Sequence, residues 1–399
     1  MLAFPDFPKP VQLMLLAART RLSETETSQI AQLCTPALDW DQFLAVTLHH
    51  RLSPLVFEGL ERARPAALPA FVRQELHRRS TVNAFLALRL THEVCRLTAA
   101  LEKSGFALSV LKGVPLSQLL YGNPNIRHVG DIDLLTHPVR LFEQVEILAK
   151  AGYTRINPPC KLTPHRLESY TSYWKDFTFA SSGGEYELDL HWRLFNNRFH
   201  AANRILERGS YITVSTFGCE MRVFSPIDQF IYIAAHGISD AWTYLKSLAD
   251  IAAFLNILTP AELDQALLRA TELGLLSQIS AAIHLANEWM GTHAEHPRLA
   301  PASDPISLEI RERTTGMLLR HNFQPHRSHP SPAEWLQLEL KLVPGYRSLF
   351  EIAQRFVWRP RVWTSFDLPD RWFWLYPLLG LVLPPRPHSS HGHGASPAA

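Results

Sequence analysis

From residue 10 to about residue 103, apolar side chains recur three and four apart. The pattern runs through VQLMLLAART, WDQFLAVTLHH and a long segment from FVRQELHRRS to LEKSG, and it predicts helices, the last one stopped at Gly105. The period then changes. Residues 106–111 (FALSVL) read as a buried strand, 115–121 as a short helix, 131–135 as a strand, 138–151 as a helix and 153–156 as another strand. Strands interleaved with helices predict a mixed sheet. After a proline-rich loop (INPPCKLTPH), two alternating runs at 174–180 and 185–192 are joined by SSGG, a hairpin signal. A short strand at 221–224 precedes helices from 226 to about 289, a linker at 291–305 and further helices to about 358.

The pattern predicts an α+β chain: an N-terminal helical domain over 1–104, a small mixed sheet with helices over 105–225, a C-terminal helical domain over 226–383 and a disordered tail over 384–399. The tail carries His388, His391 and His393 among Pro, Ser and Gly and reads as a solvated low-complexity segment. Residues 372–383 (WFWLYPLLGLVL) are apolar but fall short of the roughly 20 residues that cross a bilayer. They read as a packed terminal segment, with interfacial contact as the alternative and no stable membrane insertion.

Composition narrows the function classes. Of the 399 residues, 39 are Lys or Arg and 37 Asp or Glu, a net charge of +2, which argues against a protein that holds long nucleic acid by charge. With 46% hydrophobic residues the chain can bury a sizeable core. The ten tryptophans are mostly separated, so no single-strand stacking groove is indicated. The four cysteines are scattered without a CxxC pair, so neither a disulfide framework nor a structural zinc site is expected. The N-terminus has no secretory pattern, and the expected location is cytoplasmic.

The chemistry concentrates in LKGVPLSQLLYGNPNIRHVGDIDLL, residues 111–135. Asp131 and Asp133 lie two apart on a strand, so both carboxylates leave the same face while Ile132 and Leu134 face the core. Two carboxylates at a strand end with no cation to neutralise them make a hard oxygen site suited to Mg²⁺. Upstream, Lys112 and Gly113 precede a helix opened by Pro115, an arrangement that suits phosphate. Downstream, YELDLHW puts Glu187, Asp189 and His191 on one strand face, from which a third carboxylate can join the pair.

These residues resemble the nucleotidyltransferases of the DNA polymerase-beta-like superfamily, and more closely its bacterial branch, the uncharacterised nucleotidyltransferase family. The resemblance is carried by LKG at 111–113, RHVGDIDLL at 127–135, AGY at 151–153, LDLHW at 188–192, and AAHG with LKSLADIA across 234–252. Weaker similarity extends to residues 39–57 and to the terminal aromatic segment. The resemblance implies a polymerase-beta-like core flanked by helical domains, and transfer of a nucleoside monophosphate from an NTP, ATP included, with release of pyrophosphate. It further implies two Mg²⁺ ions held by Asp131, Asp133 and Asp189, with Lys112 and Gly113 on the phosphates; Arg127 is a candidate phosphate or acceptor contact, with a surface salt bridge as the equal alternative. Where the superfamily has Gly-Gly or Gly-Ser, this chain has Gly113-Val114, so only the first part of that motif matches.

In the C-terminal region Lys246 and Asp250 share a helix face. Spacing alone reads as a surface ion pair; the resemblance implies charged residues that close over the nucleotide. His191, His236 and Trp242 are second-tier candidates, the last two with core packing as the default reading. His49 and His50 are adjacent and diverge by about 100° on a helix, which ill suits a shared ion. The implied acceptor is a small molecule, a sugar or a peptide rather than tRNA, given the near-neutral charge. The alternatives are a toxin-like transferase acting on tRNA, a DxD glycosyltransferase and a non-catalytic nucleotide-binding protein.

Overall fold

The computed structural model describes residues 6–321, 331–343 and 345–382. The tail expected to be disordered, with His388, His391 and His393, lies outside them. Along the chain, helices α1 (Lys9–Ala17), α2 (Glu24–Leu33), α3 (Trp40–His49), α4 (Ser53–Ala63) and α5 (Ala70–Glu102) are followed by β1 (Ser109–Val110), α6 (Val114–Tyr121), β2 (Ile132–Leu135), α7 (Leu141–Lys150) and β3 (Tyr153–Asn157). Next come α8 (Pro164–Tyr173), β4 (Asp176–Ser181), β5 (Glu187–His191), α9 (Ile205–Arg208), β6 (Tyr211–Thr216) and β7 (Cys219–Phe224). The described chain closes with α10 (Pro226–Ser239), α11 (Lys246–Ile257), α12 (Pro260–Leu273), α13 (Leu276–Met290), α14 (Pro305–His321), α15 (Pro332–Leu342), α16 (Tyr346–Val357), α17 (Pro360–Ser365) and α18 (Tyr376–Val382). The α+β class expected from the periodicity is the one observed.

These elements form two compact units, each assembled from separate stretches of the chain. One takes the described residues of Met1–Thr91, Gly113–Val129 and Ser210–Pro330; the other takes those of His92–Lys112, Gly130–Gly209 and Ser331–Ala399. The first is a helical assembly with one hairpin, β6 against β7. Its core includes Leu13, Phe43, Phe230, Phe254, Ile283 and Trp289, all buried. Gly237 on α10 has a packing reason: a Cβ there would meet the Trp242 ring at 2.3 Å. The loop that carries Trp242 places Ala241 and Trp242 at φ +48° and +52°, and the indole is buried.

The second unit is built on a five-stranded sheet in the order β1-β2-β5-β4-β3. β2 and β5 run parallel and the other neighbours antiparallel. Ile132, Leu134, Leu188, Leu190, Phe177 and Phe179 are buried, and alternation sends the residues between them to the opposite face. The AGY motif is a structural joint in this unit. Gly152 turns at φ +89°, Arg96 donates to the Ala151 carbonyl at 2.9 Å, and the Tyr153 hydroxyl donates to the Glu93 carboxylate at 2.8 Å.

The structure departs from the sequence reading in several places. The strand expected over 106–111 contributes only Ser109 and Val110 to the sheet. Helix α8 occupies part of what reads as a loop, started by Thr163, whose side chain accepts from Arg166 N, and by Pro164 in the first turn. β6 lies in a stretch with no expected element. Cys34 and Cys160 are free and buried, whereas Cys95 and Cys219 are disulfide-bonded, which corrects the expectation drawn from cysteine spacing. Among the described residues no helix is long and apolar enough to cross a membrane.

Candidate active site

Parallel pairing of β2 with β5 sets Asp133 directly opposite Asp189 in register. Two like charges at neighbouring positions of adjacent strands repel, so the sequence keeps them there against a local cost. β4 lies on the far side of β5 with Asp176 opposite His191. One face of three strands thus carries Asp133, Asp189, His191 and Asp176.

Asp133 is buried and not lacking in cations, contrary to the expectation that no positive group neutralises the pair. Lys112 Nζ lies 3.3 Å from its Oδ1, and His191 Nε2 lies 3.1 Å from the same oxygen. Burial alone would raise its pKa, but Lys112 and the His191 hydrogen bond hold the carboxyl far below the usual carboxylate range. Burial, with Lys175 nearby, pushes the His191 imidazole down, so it is neutral and donates its Nε2 proton to Asp133. Its Nδ1 faces Asp176 Oδ2 at 3.5 Å. Asp189 is in the opposite condition: burial first, and then the charges of Asp176 and Asp133, push its carboxyl well above the ordinary range. Asp131, half-buried just before β2, adds to the same repulsion.

Three buried polar atoms on this face have no hydrogen-bond partner: Asp133 Oδ2, Asp189 Oδ1 and His191 Nδ1. Asp133, Asp189 and His191 also each offer a ligand atom within 4.8 Å of the other two. If all were ionised, Asp131, Asp133, Asp176 and Asp189 would outnumber the ammonium groups of Lys112 and Lys175 by two, and that crowding adds to the burial that pushes the Asp189 carboxyl up. Unpaired buried carboxylate oxygens crowded against one another fit a divalent cation, which would relieve the repulsion. Of the residues expected from sequence, Asp133 and Asp189 come together as ligand-distance neighbours and His191 joins them, while Asp131 is outside that closest group. Sequence reasoning missed Asp176 and Lys175. The polar alternation of Asp176, Thr178 and Ala180 against Phe177 and Phe179 carried the signal.

Gly113 follows Lys112 and opens α6 at φ +87°, a conformation that suits glycine. Arg127 and Asp250 are committed elsewhere. In the helical unit Arg127 Nε donates to Asp250 Oδ2 at 2.9 Å and the Tyr121 hydroxyl donates to Oδ1 at 3.1 Å, all around a carboxylate with no exposure. Asp250 is therefore not the surface partner that its spacing from Lys246 suggests. The loop before the DxD is pinned as well: Asn83 donates to the carbonyls of Asn125 and Arg127 and accepts from Val129 N, and Ser117 Oγ accepts from Arg127 N. Lys246 is half-buried at the start of α11. His236 Nδ1 lies 3.1 Å from Asp240, and Trp242 is a core side chain.

A family model described as "Uncharacterised nucleotidyltransferase" matches residues 36–291, more than half of the chain. The chain belongs to the uncharacterised nucleotidyltransferase family. No curated protein matches it. Among solved structures, similarity is found to an antigenic nucleotidyltransferase-like protein from Paracoccidioides brasiliensis, 18% identical, covering 49% of this chain and 96% of that one with a TM-score of 0.28. A superposition that loose carries no argument about the site. The matched region includes every strand among the described residues, the acidic face and the Arg127–Asp250 pair.

Proposed function

We propose that this nucleotidyltransferase moves a nucleoside monophosphate from an NTP to a hydroxyl or phosphate acceptor, with divalent cations held on the acidic face of β2 and β5. The observation that carries the proposal is the in-register pair Asp133 and Asp189, each with an unpaired buried oxygen, beside His191. Asp133 and Asp189 are the proposed shared ligands, with His191 Nδ1 as a third donor and Asp131 contributing from the start of the strand. When bound, such ions supply charge neutralisation for the triphosphate and lower the pKa of the attacking hydroxyl.

The protein's own groups have distinct tasks. The two carboxylates fix the positions of charge; His191, donating to Asp133 Oδ1, orients that carboxylate and leaves Oδ2 without a hydrogen-bond partner. Lys112 neutralises Asp133 in the metal-free chain. With a divalent cation on the two carboxylates, the Lys112 ammonium would meet the β and γ phosphates, with Gly113 supplying the turn beside it. Arg127 and Asp250 act on this reading as a buried joint rather than as nucleotide contacts.

Near-neutral charge favours a small molecule, sugar or peptide acceptor over tRNA. The test is to incubate the chain with each NTP, Mg²⁺ or Mn²⁺ and a panel of such acceptors, and to look by mass spectrometry for an added NMP. Tight NTP binding with no adduct across the panel and no pyrophosphate release would make the chain a nucleotide-binding protein instead.

A further inference from the structure

Helix α16 packs the wrong way round for a helix on a water-facing surface. Its polar residues point into the sheet-containing unit: Ser348 Oγ accepts from Asn197 Nδ2 at 2.7 Å, Glu351 Oε1 accepts from Arg198 N at 2.8 Å while Oε2 lies 3.0 Å from the Arg198 guanidinium as an ion pair, and Arg355 pairs with Glu339. Glu351 has no exposure at all. Three of its large apolar residues point outward, Tyr346 76% exposed, Leu349 54% and Phe350 62%, while Ile352 is buried. Positions 346, 349 and 350 share one helix face, so this is a continuous stripe rather than scattered exposure. Trp372, Trp374 and Leu378, in the same unit, are exposed as well.

We infer that this C-terminal surface docks onto an anionic lipid surface, with the α16 stripe and the two tryptophans entering the headgroup layer. Two observations select that occupant. The side chains are those that membrane interfaces favour, Trp, Tyr, Phe and Leu on a strongly amphipathic helix. The charge is complementary: Arg347 and Arg371 are exposed, Glu351 is buried beside Arg198, Asp370 is held by Thr163 and His165, and the exposed Asp367 is paired with Arg166. A two-fold copy laid on the same face would bring Arg347 and Arg371 against a second set of like charges. With no helix long enough to span among the described residues, the contact is interfacial.

The test is flotation of the full chain with phosphatidylcholine vesicles, with and without phosphatidylglycerol. The expected result is co-flotation with the anionic vesicles, weakened by salt, and reduced about tenfold or more by Phe350→Glu and by Trp374→Ser. Both side chains are exposed, so thermal unfolding of the variants should match the parent, which separates lost docking from lost folding. Flotation with neither vesicle, or flotation that both substitutions leave unchanged, would overturn the inference. So would a dimer in sedimentation that Phe350→Glu dissolves, which would assign the face to a second copy.

Discussion

Replacing Asp189 by asparagine should move stability and cation response in opposite directions. In the metal-free chain Asp189 sits in register with Asp133, its Oδ1 has no partner, and Lys112 and His191 both serve Asp133. Asp189→Asn keeps the shape and removes the charge, so in chelator the variant should be more stable by about 1–3 kcal/mol, the usual scale for relieving an unsatisfied buried charged group, or a few degrees in Tm. The sign with pH follows from the raised carboxyl. The folded chain keeps a proton that the unfolded chain releases, so parent stability falls as pH rises above the ordinary carboxylate value, and the variant's advantage widens from acid to neutral pH. With Mn²⁺ at about 100 times its Kd the parent should gain about 2.7 kcal/mol, and the variant should lose most of that gain. Differential scanning calorimetry in EDTA and in Mn²⁺ reads both effects. A variant less stable than the parent in EDTA, or one that responds to Mn²⁺ as the parent does, would refute the reasoning.

Other outcomes follow from single contacts. Arg127→Met leaves Asp250 charged and buried and should cost about 3–5 kcal/mol in chemical denaturation, with Arg127→Met/Asp250→Leu recovering part of the loss. Gly237→Ala drives a Cβ into the Trp242 ring and should cost about 1–3 kcal/mol, with a change in tryptophan emission. Lys112→Met should tighten Mn²⁺ binding to the nucleotide-free chain, because a competing cation leaves Asp133, while weakening NTP binding; isothermal titration of each ligand checks the two directions separately.

The chemistry on β2 was legible because a DxD needs only the two-residue period of a strand to place both carboxylates, and LDLHW follows the same rule. Their meeting was not legible from local pattern, since Asp133 and Asp189 become neighbours through the parallel pairing of strands more than fifty residues apart. The same limit hid the partner of Asp250: four-residue spacing pointed to Lys246, and the group that grips it is Arg127, 123 positions away. Lys112 was visible as a phosphate candidate, but its duty toward Asp133 depends on β1 lying against β2. Helix α8 was obscured by prolines that serve as its start, at Thr163-Pro164. The inverted face of α16 was beyond reach because amphipathic spacing says that a helix has two faces and not which one is outward.

The most direct test of the central claim is the release of labelled pyrophosphate from γ-³²P-NTP with an acceptor panel, in Mg²⁺, in Mn²⁺ and in EDTA, for the parent and for Asp133→Ala. The account predicts release that requires both the cation and Asp133, matched by an acceptor heavier by one NMP. Release that persists in EDTA, or that Asp133→Ala leaves intact, would contradict it.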